Sequence, residues 1–277
     1  MSLKKFEKNI RSQYGEDGVI DEIFSRIGNN NKIAVEFGAW DGEHLSNTWD
    51  LWKNKDWYSY LIEGDSKKAK ELEKNLIPFK KTTSIHSYVT EEGENSLDVI
   101  LSKFPIPKDF DLLSIDIDGD EFYILEGLNN YKPKLIIIEY NPTVPPYVEM
   151  VQAKGEYLGS SSFSLIKLGE MKGYKPIHVT NTNLFLLSND IFELGNFELL
   201  DLNIQYKNPN LVNVITSYDG ISFLSANLPY KQNLPTKKDI TVKSFLKSLI
   251  KKTTNPQEPK FNIPKSFLPV EILKKNK

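Results

Sequence analysis

Four acids follow a short apolar run in the stretch LLSIDIDGDE: Asp116, Asp118, Asp120 and Glu121. Carboxylates this crowded can attack a phosphoryl group, hold a divalent cation, or handle a proton beside a charged cofactor at a strand end. Spacing separates these chemistries. An EF-hand calcium loop needs acids at positions 1, 3 and 5, glycine at 6 and glutamate at 12. Counted from Asp116, position 6 is Glu121 and position 12 is Gly127, which rules that loop out.

Asp116-Ile117-Asp118-Gly119 also resembles the DxDG opening of haloacid-dehalogenase phosphatases, where the first Asp is the nucleophile and the second the acid/base. That family places the string near its N-terminus, follows it with Thr or Val, and adds a paired-acid metal motif downstream. Here Asp120 follows, several strands and helices precede, and no such downstream pair is found. The phosphatase stands as an alternative.

The elements that must position these acids alternate apolar runs with helical patterns, the signature of parallel βαβ construction. KIAVEFGAW, WYSYLIEGD, TTSIHSYVT, FDLLSID and KLIIIEYN read as strands, the last an apolar run typical of a strand buried on both faces. SKKAKELEKNL, LDVILSKF, DEFYILEGL and SFSLIKLGEMKGY read as helices, with Pro105 and Pro107 marking one break. KPIHVT and NLFLLSND then read as a closing hairpin. The expectation is an α/β, Rossmann-like, doubly wound sheet of seven strands, mostly parallel with an antiparallel terminal hairpin. One domain spans residues 1–192 and a C-terminal extension spans 193–277.

Composition agrees with such a fold. Of 277 residues, 39% are hydrophobic and 26% charged, which argues against global disorder. Absence of cysteine removes disulfides, thiolate metal sites and cysteine nucleophiles together. No window approaches the ~18 apolar residues of a membrane span, and MSLKKFEKNI has no apolar signal core, so a cytoplasmic protein without stable membrane insertion is expected. Residues 236–277 carry 11 Lys against three acids, a surplus of +8, which leaves −10 on the first 235 residues of a chain whose net charge is −2. An acidic body is not a nucleic-acid surface.

In an open parallel sheet, ligands sit beyond the carboxyl ends of the strands. At those ends stand Glu36 with Gly38, Glu63 with Asp65, Asp116 with Asp118, and Glu139 with Asn141. Four polar pairs in register describe an active-site rim. The first turn, Glu36-Phe37-Gly38-Ala39-Trp40-Asp41-Gly42, lacks the G-x-G-x-x-G of a dinucleotide site, since Trp40 and Glu43 stand where glycines belong. An acid beside it suits a cationic ligand, and S-adenosylmethionine carries an ammonium and a sulfonium. Glu63, 27 residues after Glu36, can accept from both hydroxyls of a ribose.

At these residues the chain resembles class I S-adenosylmethionine-dependent methyltransferases, and most closely the FkbM-like group. The resemblance covers roughly residues 10–190 and rests on SQYGEDGVIDEIF, VEFGAWDGEHLSNT, LIEGD, LLSIDIDGDEFYILEGL and MKGYKPIHVTNTNLFLL. It implies that Glu36, Gly38 and Ala39 line the methionine moiety, Glu63 the ribose, and Tyr88 and Val89 the adenine edge. It also implies cofactor contacts from Gln13, Tyr14, Asp41, Ser46, Asn47, Thr48, Gly64 and Asp116, with Gln13 and Tyr14 on a helical segment that covers the cofactor. DIDGDE stands where the group carries D-x-E-G-x-E, so Asp118 replaces a Glu.

Methyl transfer is an in-line displacement that needs alignment and the removal of one proton. Asp118 is the first candidate for the base, His178 the second, with Asp116 beside them. A divalent metal, Mg, Mn or Fe, on Asp116, Glu139 and Asn141 is the other way to lower an alcohol's pKa, by similarity to catechol-type methyltransferases. The implied activity is O-methylation of a small polar acceptor, a sugar or nucleotide-linked sugar of surface polysaccharide. A non-catalytic S-adenosylmethionine-binding module is the remaining alternative. In the C-terminal extension, LVNVITSYDGISFLSA reads as a hairpin around Asp219-Gly220. DITVKSFLKSLIKKTT reads as a basic amphipathic helix suited to homo-oligomer packing, and a Pro- and Lys-rich tail follows.

Overall fold

The computed structural model describes residues 2–201, 214–216 and 222–224. The chain divides into two units. The first comprises Met1–Pro142 and Pro146–Tyr206; the second comprises Thr143–Pro145 and Lys207–Lys277. Within the second, β8 (Val214–Thr216) pairs antiparallel with β9 (Ser222–Leu224), as expected of a hairpin around Asp219-Gly220. The amphipathic helix and the Pro- and Lys-rich tail read from the sequence lie outside the described residues.

The first unit is built on seven strands: β1 (Ile33–Phe37), β2 (Tyr58–Glu63), β3 (Thr82–His86), β4 (Leu112–Ile115), β5 (Leu135–Glu139), β6 (Tyr174–Val179) and β7 (Asn183–Ser188). Their order in the sheet is β3-β2-β1-β4-β5-β7-β6. The first five run parallel and β7 enters antiparallel between β5 and β6. This is the seven-stranded sheet expected from the apolar runs. The strand order turns back between β1 and β4, the place where open α/β sheets bind ligands.

Burial follows from position in the sheet. The central strands β1 and β4 are buried at every residue because helices cover both faces. The edge strand β3 is only half buried, and the other edge, β6, tolerates Pro176 beside a bulge. One face packs Val35, Phe37, Ile62, Leu113, Ile115, Ile136 and Ile138 against the helices α4 (Leu97–Ser102), α5 (Glu121–Gly127) and α6 (Ser162–Met171). The opposite face packs Ala34, Leu112, Leu135 and Ile137 against Val19, Ile20, Ile23 and Phe24 of α1 (Glu16–Ile27). α3 (Ser66–Leu76) begins at Asp65, whose carboxylate accepts from the amides of Lys67 and Lys68.

One local detail differs from the sequence reading. Gln13 and Tyr14 precede α1, because Gly15 adopts a left-handed conformation (φ 100°) that stops the helix from starting earlier. The Trp-rich segment after the first turn is helical, as α2 (Trp49–Asn54).

Candidate active site at the carboxyl ends of the strands

The turn after β1 is held against two neighbouring strands. Gly38 has φ 77°, and a Cβ there would lie 1.5 Å from the carbonyl oxygen of Asp116. Only glycine permits this close approach of the β1 and β4 ends. Ala39 donates its amide to the Ile62 carbonyl on β2 at 3.1 Å. Trp40 follows with φ 52° and an indole 46% exposed.

Glu63, at the end of β2, is buried. Its two oxygens take one amide each, Trp40 on Oε2 and Asp65 on Oε1, both at 2.7 Å. A carboxylate offers about four lone-pair positions. One on each oxygen therefore remains open to a further donor, and the two amides fix the orientation of the group. Gly64 lies against Tyr88, whose side chain is exposed after β3, while Val89 packs onto the core.

Glu36 is committed differently. Its Oε2 accepts from Ser46 Oγ at 2.6 Å and Thr48 Oγ1 at 2.5 Å, and its Oε1 from the Asn47 amide at 2.8 Å. Asn47 then donates its side chain to Ser114 on β4 at 3.1 Å. Burial raises the Glu36 carboxyl above its ordinary value, against these hydrogen bonds, and the charge of Asp17 adds to the rise. Glu36 thus organises the SNT segment under the rim.

Beyond β4 and β5 the acids converge. Asp116, Asp118 and Glu139 offer carboxylate oxygens that all lie within 4.8 Å of one another. Asp116 and Glu139 are hydrogen-bonded through their side chains. Burial pushes Asp116 up to about 7, opposed by that bond and reinforced by the charges of Asp118, Glu121 and Glu36. Burial, then the charges of Asp116, Glu121 and Asp118, raise Glu139 well above a normal glutamate. The physical picture is a carboxyl pair sharing a proton near neutrality. Asp118 is exposed and sits at φ 59°, a conformation that aspartate tolerates better than most residues.

The turn carrying Asp118 is made rigid by residues that have no signature in the sequence. Glu121 Oε1 accepts the amides of Ile117 at 3.1 Å and Gly119 at 2.8 Å. Gln152, from the loop after β5, donates to Asp120 at 2.8 Å and accepts the amides of Leu158 and Gly159. Tyr123 donates to the Gln152 carbonyl at 2.7 Å. Nothing local in the sequence singles out a glutamine 32 residues from its partner.

The N-terminal segment is tied to the same rim. Asp17 Oδ2 accepts from the amides of Ile10, Arg11 and Ser12 and from Ser12 Oγ. Glu16 accepts from Thr180, Asn183 and the Tyr14 amide, bridging α1 to the β6–β7 turn. Gln13 accepts at its carbonyl from Asn9. His178 is buried and pairs with Glu7 at 3.0 Å, so it is not among the acids of the cluster. Asn141 lies two residues beyond β5 and donates its amide to the Leu158 carbonyl at 2.7 Å; Asp118 is the acid that joins Asp116 and Glu139.

The sequence profile described as the methyltransferase FkbM domain matches residues 58–159, from β2 to the loop after β5. Over that stretch the chain is similar to the methyltransferase FkbM domain. The match and the strand order favour the class I, S-adenosylmethionine-dependent reading of Asp116 over the aspartyl phosphatase one. No curated protein matches the chain. Among solved structures, a SAM-dependent methyltransferase from Aquifex aeolicus is 13% identical with a TM-score of 0.40, covering 66% of this chain and 94% of its own. TrmK of M. capricolum, solved with S-adenosylhomocysteine, is 18% identical with a TM-score of 0.37, covering 61% of this chain and 65% of its own. The rim residues suit such a cofactor in their chemistry: Glu63 retains acceptor positions for hydroxyls, and the acids beyond β4 and β5 match cationic groups.

Proposed function

We propose that this chain methylates a hydroxyl of a small polar acceptor, a sugar or nucleotide-linked sugar, with Asp118 as the base. The observation that carries the reading is the cluster of Asp116, Asp118 and Glu139 at the ends of β4 and β5, on the rim that also carries Glu63. Glu63 and the Gly38 turn would hold S-adenosylmethionine, which would supply an electrophilic methyl to the acceptor oxygen. Asp118, exposed at the mouth of the cluster, takes the hydroxyl proton. Asp116 and Glu139 share a proton behind it, orient the acceptor by hydrogen bonds, and limit the negative charge at the rim. A row of carboxylates matches the adjacent hydroxyls of a sugar, each of which donates one hydrogen bond.

The close grouping of the three acids favours a second reading, in which they hold Mg²⁺, Mn²⁺ or Fe²⁺. Such an ion would lower the acceptor hydroxyl's pKa and make Asp118 a ligand. One experiment addresses both. Methyl transfer from labelled S-adenosylmethionine to a panel of sugars and nucleotide sugars is measured before and after chelation, with Mn²⁺ or Mg²⁺ restored. Transfer to a sugar that survives chelation supports the base reading. Transfer that is lost and then restored supports the metal. Binding of S-adenosylhomocysteine without transfer to any sugar overturns the acceptor class.

A further inference from the structure

The loop after β5 is closed on itself between Met150 and Ser161. Ser161 donates its amide to the Met150 carbonyl at 2.8 Å, and the Met150 amide donates to Ser161 Oγ at 3.1 Å. The buried Gln152 side chain fills the loop. It donates to the Glu156 carbonyl and to Asp120, both at 2.8 Å, and accepts the amides of Leu158 at 2.9 Å and Gly159 at 2.7 Å. The Gly155 amide also donates to Asp120, at 3.0 Å. A surface loop with a closed neck and its own side chain packed inside is an Ω-loop, a form frequent at functional sites.

The tip of this ordered loop holds two large apolar side chains in the open. Tyr157 is 83% exposed and Leu158 57% exposed. A ring so exposed adds little to folding. Both chain neighbours of Tyr157 are nevertheless fixed on the turns that carry the acids. A Cβ on Gly119, the residue after Asp118, would lie 2.6 Å from the Glu156 carbonyl oxygen. The Leu158 carbonyl accepts from Asn141, two residues beyond Glu139, at 2.7 Å. Tyr157 therefore stands between the two turns on which Asp116, Asp118 and Glu139 meet.

On the sugar-acceptor reading given above, we propose that Tyr157, with Leu158 beside it, is the platform on which the acceptor's ring stacks, so that the loop selects a pyranose over an open-chain polyol. A pyranose has two chemistries. Hydroxyls project from its edge, and C–H bonds gather on its faces. Carboxylates accept from the hydroxyls. The negative face of an aromatic ring attracts the C–H hydrogens, which carry a slight positive charge. Acids alone would hold any polyol with enough hydroxyls, and the flat apolar surface beside them distinguishes the ring. A tyrosine has two side-chain torsions to fix and its backbone here is already clamped, so little freedom is lost on binding. Single exposed apolar residues are ordinary on a protein surface; Tyr157 is set apart by its place beside the acids on a loop ordered in advance.

The test measures methyl transfer from labelled S-adenosylmethionine to free sugars and to their alditols, the reduced open-chain forms. Wild-type protein is expected to favour the sugar over its alditol by about tenfold or more in kcat/KM. Tyr157→Ala is expected to raise KM for the sugar about tenfold while kcat changes by less than about threefold. Its melting temperature and S-adenosylhomocysteine affinity should match wild type, because the ring is exposed. Tyr157→Phe, which keeps the ring and loses the hydroxyl, should return KM to within about twofold of wild type. An unchanged KM in Tyr157→Ala, no preference for sugar over alditol, or a Phe variant as impaired as Ala overturns the stacking platform and leaves the acceptor reading standing. Wild-type protein that binds S-adenosylhomocysteine but transfers methyl to no sugar overturns both.

Discussion

At the scale of single residues, the decisive feature is that three carboxylates meet, and the charge of Asp118 adds to the cost of ionising Asp116 and Glu139. Asp116 titrates near 7 because it is buried among Asp118, Glu121 and Glu36. Asp118→Asn tests the base directly, since asparagine accepts the left-handed backbone as readily as aspartate. The expected result is a loss in kcat of about 100-fold or more with S-adenosylhomocysteine affinity unchanged. A kcat within about threefold of wild type would remove Asp118 from the chemistry. VEFGAWDG and LIEGD show these residue-scale roles in the sequence because a glycine turn and a strand-end acid are local features. Glu121 and Gln152 show nothing, because their value lies in backbone amides and carboxylates that only the folded loop delivers to them.

At the scale of elements, the site depends on how closely β1 and β4 converge. Gly38 lets the turn after β1 pass the Asp116 carbonyl, and any side chain there must push the two strand ends apart. Gly38→Ala combines a clash with a left-handed backbone. It is expected to cost about 3 kcal/mol or more in chemical denaturation and to abolish cofactor binding. A variant that folds with near-wild-type stability and still binds S-adenosylhomocysteine would show that the approach is slack. The loop after β5 depends in the same way on Gln152, which ties it to Asp120 of the β4–α5 turn and, within the loop, to the amides of Leu158 and Gly159. The strands themselves were legible from apolar runs. The start of α1 was not, since Gly15 and the Glu16 contacts to β6 and β7 place it three residues later than the helical pattern suggests.

At the scale of the whole molecule, the buried acids link stability to pH. For Asp116, the folded value of about 7 lies above the ordinary 3.8, so between those values the folded state binds more protons than the unfolded state. Stability is then present at low pH and declines as pH rises through the folded value. Glu36, Glu121 and Glu139 shift in the same direction. The melting temperature is expected to fall by about 5 °C between pH 5.5 and 8. Asp116→Asn should flatten that decline, and an unchanged slope would show that the cluster is already relaxed. If the metal reading holds, millimolar Mn²⁺ raises the melting temperature at pH 8 and not at pH 5.5, because only the ionised acids bind it.

The sequence by itself determined the parallel α/β class, the order of strands along the chain, and the rim on which the acids sit. These follow from apolar periodicity and from the rule that strand ends carry the ligand site, both readable over a few residues. Which acids meet was decided only by tertiary structure. Asp118 joins Asp116 and Glu139, because β4 and β5 are neighbours and Asp118 turns back on a left-handed backbone that Glu121 and Gln152 support. The pairing of Arg11 with Glu43 beside the turn after β1 belongs to the same class of fact. Their separation in sequence carries no periodic signal, and only the clamp on Asp17 brings residues 10–12 to the mouth of β1.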